Sequence, residues 1–362
     1  MSAGGPALRE ASRAAPGASG AQRAESAARL LERCRAEVRP DLVDAVGRLH
    51  PWLAEMAGYS FGWCEVGGAA RTGAGGGKGL RQALALLGAE AAGAPARRGT
   101  PAAVAVELVH VFSLLHDDVM DGDETRRSRP TVWHAYGTGP AVLAGDALFA
   151  LGVETLAHAG PSSQSARSVR MLSGALGELV RGQADDLLFA SRPWSGERQV
   201  RAEEYRAMVE GKTGALLGCA AALGAALGGA QPPAVAALDR AGRSMGVAFQ
   251  LADDVLGLWG DPAVTGKPVH GDLRERRKTY PVLAALSSAT PAGRSLRSLL
   301  ERDGDPAEAT ALAEAAGGRE ATLAEARRHL AAARSALTEP TLGVGASRDL
   351  MTLAEYALRR HR

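Results

Sequence analysis

The sequence predicts an all-α fold. Ala- and Leu-rich stretches recur at helical spacing along the chain, whereas the alternation of β-branched residues that marks strands is scarce. Hydrophobic residues make up 46% of the 362 positions and aromatic ones only 4%, so the core is expected to be built from Ala, Leu and Val. No internal repeat and no second folded unit is visible. One domain is expected over residues 39–362, behind a low-complexity segment at 1–38.

That first segment is rich in Ala, Gly, Ser and Arg, with few large apolar side chains before Leu30. It reads as a disordered tail up to about Gln22, then a short amphipathic helix over residues 26–38. The alternative to a solvated tail is a docking segment that tethers the chain to another protein or sequesters it in a compartment. Residues 73–79, five of the seven glycine, read as a flexible loop over a substrate.

The next helix is the most informative. Thr100 is placed as its N-cap and Pro101 at its first position, an apolar run follows, and Gly122 is the stop. Asp117, Asp118 and Asp121 then sit on its last turn, at the negative end of the helix dipole, where cationic residues are normally favoured. Three acids there raise the local negative potential unless a cation binds. Asp117 and Asp121 are four apart and can share hard cations from one face. A second apolar helix is expected to end in Asp253 and Asp254, followed by Gly257, Gly260, Asp261 and Pro262. All-oxygen ligands without His or Cys favour Mg2+, which completes its shell with water and phosphate. A single Asp pair is usually a solvated helix end; two pairs, each reached through an apolar helix, point to a metal-bridged diphosphate.

The lysines are an independent clue. Lys and Arg together number 42, yet the only lysines are Lys78, Lys212, Lys267 and Lys278, in the segments GGGKGLR, EGKTG, VTGKP and RRKTYP. Compact ammonium groups beside permissive backbone suit phosphate oxygens.

The formal net charge is only +2, with Arg interspersed among acids, so a nucleic-acid-binding role has no support. Cys34, Cys64 and Cys219 show no metal spacing and fit a reducing cytoplasm. The N-terminus lacks a secretory apolar segment. No membrane span is expected: the long uncharged stretch from Thr213, broken by Gln231, Pro232 and Pro233, reads as a tightly packed buried helix. Residues 304–318 read as a surface connection with a short helix.

With these motifs in this order, the chain resembles the trans-isoprenyl diphosphate synthases, the polyprenyl synthetase family, from about Gly76 to the closing LMTLAEYALRRHR. The resemblance implies the isoprenoid synthase fold, an antiparallel helix bundle around a central active-site cavity. It implies Mg2+, three ions per site, bound by Asp117 and Asp121 with Asp118 supporting, and by Asp253 with Asp254. Arg126, Lys212 and Lys267 would hold an allylic diphosphate, and Lys78, Arg81, His110 and Arg127 isopentenyl diphosphate. Thr213 and Gln250 match positions facing a developing cation. Gln183 and Asp186 match a characteristic pair near the metals, and Asp272 an acid behind them. A homodimer is implied as well.

Several positions depart from the pattern. Gly257 stands where the second acid motif usually has its third Asp, Gly79 and Gln82 alter the family's GKRxRP segment, and Arg277 stands where Lys is common. In the implied chemistry, the allylic diphosphate ionises, the double bond of isopentenyl diphosphate attacks the cation, and a proton leaves to pyrophosphate. No protein nucleophile is needed, but water must be excluded. Phe112, five residues before Asp117 and so about 7 Å down the helix, with the small Ser113 after it, resembles short-chain synthases, geranylgeranyl ahead of farnesyl. Two other readings are a class I terpene cyclase, which has no use for the Lys78, Arg81 and His110 set, and a non-catalytic partner subunit, suggested by Gly257 alone.

Overall fold

The computed structural model describes residues 20–71, 77, 79–260 and 270–359. Residues 1–19, most of the glycine loop with Lys78, and the segment carrying Asp261 and Lys267 lie outside the described residues.

The architecture is built almost wholly of helices, and one helix explains their arrangement. The helix over Ala215–Leu227, in the sequence ALLGCAAALGAAL, is buried at every residue. A helix apolar on all sides has no solvent face and must be surrounded. It is packed by Leu80–Ala91, Thr100–Asp121, Ser162–Ser191 and Pro232–Trp259. In chain order these are α3 (Leu80–Ala91), α4 (Thr100–Asp121), α7 (Ser162–Ser191), α9 (Ala215–Leu227) and α10 (Pro232–Trp259), preceded by α1 (Gly20–Gly47) and α2 (Pro51–Phe61). Between α4 and α7 lie α5 (Val132–Tyr136) and α6 (Thr138–Ala157), and α8 (Ala202–Val209) precedes α9.

Small residues set the packing distances. A Cβ on Gly88 would overlap the Ala221 carbonyl oxygen, and one on Gly224 the Ala85 carbonyl oxygen, so α3 and α9 touch backbone to backbone. On the other side of α9, a Cβ on Gly242 would lie 2.6 Å from the Leu217 oxygen and one on Gly246 2.7 Å from Gly214 Cα. The near absence of aromatic residues in the sequence is the counterpart of this close packing.

Four elements differ from the sequence reading. First, α1 is longer than the expected 26–38 helix and runs through Pro40. Its buried positions Ala27, Leu31, Cys34, Val38, Leu42 and Ala45 keep helical spacing across the proline, and burying that continuous face outweighs a cost of about 3 kcal/mol for an internal Pro. The boundary read at residue 38 falls inside this helix. Second, α4 starts with Thr100 already helical and Gly99 as N-cap, because a 3-10 turn over Ala96–Gly99 leads into it. Third, α10 does not stop at Asp254 but continues to Trp259, because Val255 and Leu258 extend its buried face. Fourth, a two-stranded hairpin, Thr125–Arg126 with Arg129–Pro130, follows α4. Its two loop residues, Arg127 (φ 52°) and Ser128 (φ 60°), both adopt the left-handed conformation that a type I′ turn requires. Arg-Ser carries none of the usual Asn-Gly signal for such a turn.

The C-terminal part adds α11 (Gly271–Arg274), α12 (Tyr280–Leu286), α13 (Pro291–Glu301), α14 (Pro306–Ala315), α15 (Gly318–Ala336) and α16 (Val344–Arg359). The expected short helix within 304–318 is α14. A cluster of Leu258, Leu273, Val282, Leu296, Leu299 and Ala313 fixes this part to the end of α10.

By length and composition alone, two helices among the described residues would pass as membrane spans. The first, α4, is two-thirds buried in the core. The second, α6, packs on α4 and leaves one apolar face with Val142, Leu143 and Phe149 exposed.

Candidate active site

The first acid group forms where α4 ends. Gly122 (φ 69°) closes the helix with its N–H on the Asp118 carbonyl, and Asp117 and Asp121 share one face of the last turns. Asp186 of α7 and Lys212 stand against them, with Lys212 Nζ 2.6 Å from Asp186 Oδ2. Burial pushes the Asp117 carboxyl up to about 6; Lys212 and Arg126 draw it down, and Asp121 and Asp186 push it further up. Burial also raises Asp121, whose nearest compensation is Arg277, 3.7 Å away, with Lys212 beyond it. Like charges are thus held together in a partly desolvated place, the condition under which a divalent cation binds well.

Lys212 reaches this group from an unusual turn. Residues Glu210–Gly214 form a π-helical turn between α8 and α9, a widening that recurs at functional sites. A Cβ on Gly182 would overlap the Lys212 backbone nitrogen, and one on Gly211 would lie 2.9 Å from the Glu178 oxygen. The two glycines let α7 lie directly on the widened turn.

Within each Asp pair, neighbours differ in role. Asp118, only 4% exposed, accepts from Arg126 Nε at 2.6 Å and is paired with Nη2 at 2.5 Å. Asp254, 3% exposed, accepts from the Tyr205 hydroxyl (2.7 Å), the Tyr280 backbone N–H (3.2 Å) and Gln250 Nε2 (3.0 Å). Burial raises the Asp254 carboxyl to about 7 against the pull of these donors. The resemblance implies metal contacts for both; here Oδ1 of Asp118 and both oxygens of Asp254 are met by protein donors. Successive helical residues point about 100° apart, so if Asp117 and Asp253 face the site, Asp118 and Asp254 face protein. Asp253 is half-buried.

The missing third acid of the second motif has a spatial explanation. A Cβ on Gly257 would overlap Oδ2 of Asp272, so the Asp272 carboxylate fills the space over Gly257, one turn beyond Asp253. Arg277, whose N–H bonds to the Asp272 carbonyl, links this carboxylate region to Asp121 of the first group.

A second charged pocket lies on the same face of α4. His110 precedes Asp117 by two turns, about 10 Å along the axis. His110 Nδ1 and Arg81 Nε are buried with no hydrogen-bond partner among the described residues. Burial pushes Arg81 down to about 10 and His110 well below the ordinary imidazole value, with Arg81, Arg127 and Arg126 adding to the His110 shift. The one carboxylate in this pocket is Glu107, also buried and raised by it. Unpaired buried donors cost about 1–3 kcal/mol each, and an anion entering this pocket would satisfy them. Both amide atoms of Gln183 are likewise buried without a partner among the described residues.

Among the described residues no three acidic, His or Cys side chains converge into a preformed metal cage.

Comparison with known proteins decides the family. Residues 68–316 match the family model described as "Polyprenyl synthetase". This chain belongs to the polyprenyl synthetase family. A geranylgeranyl diphosphate synthase of Mycobacterium tuberculosis is 42% identical over 91% of the chain and 93% of its own length. A (2E,6E)-farnesyl diphosphate synthase of Mycobacterium bovis is 41% identical over 89% of the chain and 90% of its own. The crystal structure of a polyprenyl synthetase from Streptomyces coelicolor superimposes with a TM-score of 0.85 at 43% identity, covering 91% of the chain and 99% of that structure. The fold is the all-α isoprenoid synthase fold that the sequence predicted.

Of the residues expected at this family's site, the structure gathers Asp117, Asp121, Asp186 and Lys212 in one group, and Arg81, His110 and Arg127 in another. Gln250 and Thr213 lie beside each other, 3.4 Å apart. Phe112 packs edge-on against His116 (4.7 Å) and against Phe149 of α6 (5.5 Å). Sequence reading missed Glu107 and Tyr205. Glu107 had a signal: a lone acid inside the apolar run of α4, a residue type seldom buried unless paired.

Two outcomes follow. Gly257→Asp, which restores the usual motif, should destabilise the protein by about 2 kcal/mol through overpacking, and Asp272→Ala in the same background should recover most of the loss; thermal melting checks both. Because folded His110 has a depressed pKa, the unfolded chain binds the extra proton as pH falls through 6.5, so the His110 contribution to stability falls there, whereas the raised carboxyls of Asp117 and Asp254 contribute with the opposite sign. The melting temperature of His110→Gln should therefore rise relative to wild type as pH is lowered from 7.5 to 5.5, measured without substrate.

Proposed function

We propose that the protein is a short-chain trans-prenyl diphosphate synthase, a prenyltransferase that condenses isopentenyl diphosphate head-to-tail with an allylic diphosphate. The observation that carries this reading is the pair of charged groups set two turns apart on one face of α4, one rich in carboxylates and suited to a divalent cation, the other with buried cationic side chains suited to an anion. A terpene cyclase would have no use for the second.

Asp117, Asp121 and Asp253, with Asp186 beside them, would hold Mg2+, which neutralises diphosphate charge when bound. Arg126 is held by Asp118, and it acts with Lys212 and Lys267 on the allylic diphosphate, so that charge appearing on the leaving group meets cations already in place. Lys78, Arg81, His110 and Arg127 receive isopentenyl diphosphate. Neutral His110 can donate one hydrogen bond without competing with the arginines. Gln250 and Thr213 face the carbon that becomes cationic. The proton lost after carbon–carbon bond formation goes to released pyrophosphate, and no side chain acts as nucleophile.

Geranylgeranyl diphosphate is the favoured product and farnesyl diphosphate the next, with Phe112, backed by Phe149, as the end of the pocket. A homodimer is supported by the exposed apolar residues Val142, Leu143 and Phe149 on α6 and Val180, Leu187 and Leu188 on α7. The free thiols of Cys34, Cys64 and Cys219 suit a reducing cytoplasm. A single domain is proposed, with α1 part of it: Ala27, Leu31, Cys34 and Val38 lie in its core.

Incubation with Mg2+, labelled isopentenyl diphosphate and each allylic primer should give a metal-dependent twenty-carbon product. Asp117→Ala should lower turnover by at least about 100-fold with little change in melting temperature, and Phe112→Ala should lengthen the product. A fifteen-carbon product would keep the enzyme and correct the pocket, and no elongation by the wild type would favour a partner-subunit role. Leu143→Glu combined with Leu188→Glu should shift the sedimentation of the protein from dimer to monomer.

A further inference from the structure

A continuous chain of hydrogen bonds leads from α8 to the residues assigned to the cationic carbon. The Tyr205 hydroxyl, fully buried, donates to Oδ2 of Asp254 at 2.7 Å. Oδ1 of Asp254 accepts from the side-chain amide of Gln250 at 3.0 Å, one turn earlier on α10. The Gln250 carbonyl oxygen in turn receives the Thr213 hydroxyl at 3.4 Å, on the π-helical turn that also carries Lys212.

The chemistry of the donors fixes the direction of this chain. An ionised carboxylate only accepts hydrogen bonds, and Oδ2 of Asp254 is already met by two donors, the Tyr205 hydroxyl and the Tyr280 N–H. In that form Asp254 receives the Gln250 NH2 on Oδ1. The amide carbonyl is left pointing to Thr213. The reverse rotamer would put NH2, the positive end of the amide dipole, toward the place where positive charge develops. Every link is between side chains on packed helices, and Tyr205 sits in an apolar cluster with Met208, Val209, Val247 and Leu251. The orientation is thus set before any substrate enters.

We propose that Tyr205 and Asp254 are positioning residues for prenyl transfer, which lock the Gln250 amide with its carbonyl oxygen toward the developing cation. The proposal rests on the functional reading above. It gives Asp254, the second acid of its motif, a task separate from metal binding, and it brings in Tyr205, which touches neither substrate nor metal. A fixed carbonyl dipole costs no reorganisation at the moment of ionisation, the condition under which such dipoles contribute most.

The test compares wild type, Tyr205→Phe, Asp254→Asn, Asp253→Asn, Gln250→Leu and the double variant Tyr205→Phe/Gln250→Leu. For each, kcat, both KM values and the half-saturating Mg2+ concentration are measured, with melting temperature as the folding control and calorimetry of Mg2+ with inorganic pyrophosphate as a readout independent of turnover. Tyr205→Phe keeps the ring and removes only the hydroxyl. It is expected to lower kcat by about 10-fold, leave both KM values and half-saturating Mg2+ within about 2-fold, and add nothing to the loss in Gln250→Leu, because residues acting through one another are non-additive. Asp254→Asn is expected to lower kcat without weakening Mg2+ binding with pyrophosphate, whereas Asp253→Asn weakens it. Unchanged kcat in Tyr205→Phe, losses that multiply in the double variant, a Tyr205→Phe chain that does not fold, or Mg2+ binding weakened as much by Asp254→Asn as by Asp253→Asn would each overturn the proposal. A wild-type protein that elongates no allylic diphosphate would overturn the functional reading itself, and the proposal with it.

Discussion

Repulsion between carboxylates in a partly dry setting is the constraint around which this molecule is organised. Burial raises the proton affinity of Asp117 and Asp121, and the neighbouring charge of Asp186 raises both further. The fold supplies just enough positive charge, through Lys212, Arg126 and Arg277, to keep the group together without neutralising it. Each of these cations is itself anchored: Arg126 on Asp118, Lys212 on Asp186, and Arg277 between Glu275 and Asp121. The unbalanced remainder of negative charge is what suits the site to a divalent cation arriving with a diphosphate.

The helical framework makes that arrangement rigid. Backbone contact between α3 and α9, and between α9 and α10, leaves no slack for the charged ends to move apart, and two further glycines, Gly182 and Gly211, let α7 lie against the π-helical turn. Core packing and site electrostatics therefore both depend on small residues. This is why so few aromatic side chains serve a chain of this length.

Much of this was legible in the sequence. The length of α4, its stop at Gly122 and the facing of Asp117 and Asp121 follow from helical spacing and one glycine. The family followed from the order of the motifs. What could not be read is where space, not sequence, decides. Two adjacent aspartates look equivalent in a string of letters, yet the helix sends one of each pair to protein donors. Gly257 reads as a missing acid, yet the carboxylate of Asp272, fifteen residues on, occupies the space a side chain there would need. The hairpin after α4 was hidden because Arg127 and Ser128 take left-handed conformations that neither residue type advertises, and α1 ran through Pro40 because its buried face, continuous on both sides, mattered more than the proline.

The widened turn at Glu210–Gly214 has one more consequence. Accommodating an extra residue in a turn rotates everything after it by about 100° relative to a regular helix. For an ordinary amphipathic helix such a change of phase would carry the apolar stripe to solvent. Here the helix that follows is α9, apolar all round and enclosed on every side, so a change of phase carries no apolar stripe to solvent. What the offset does fix is which small residues meet the neighbours: it must bring Gly218 to α10 and Gly224 to α3 while Lys212 and Thr213 stay aimed at the site.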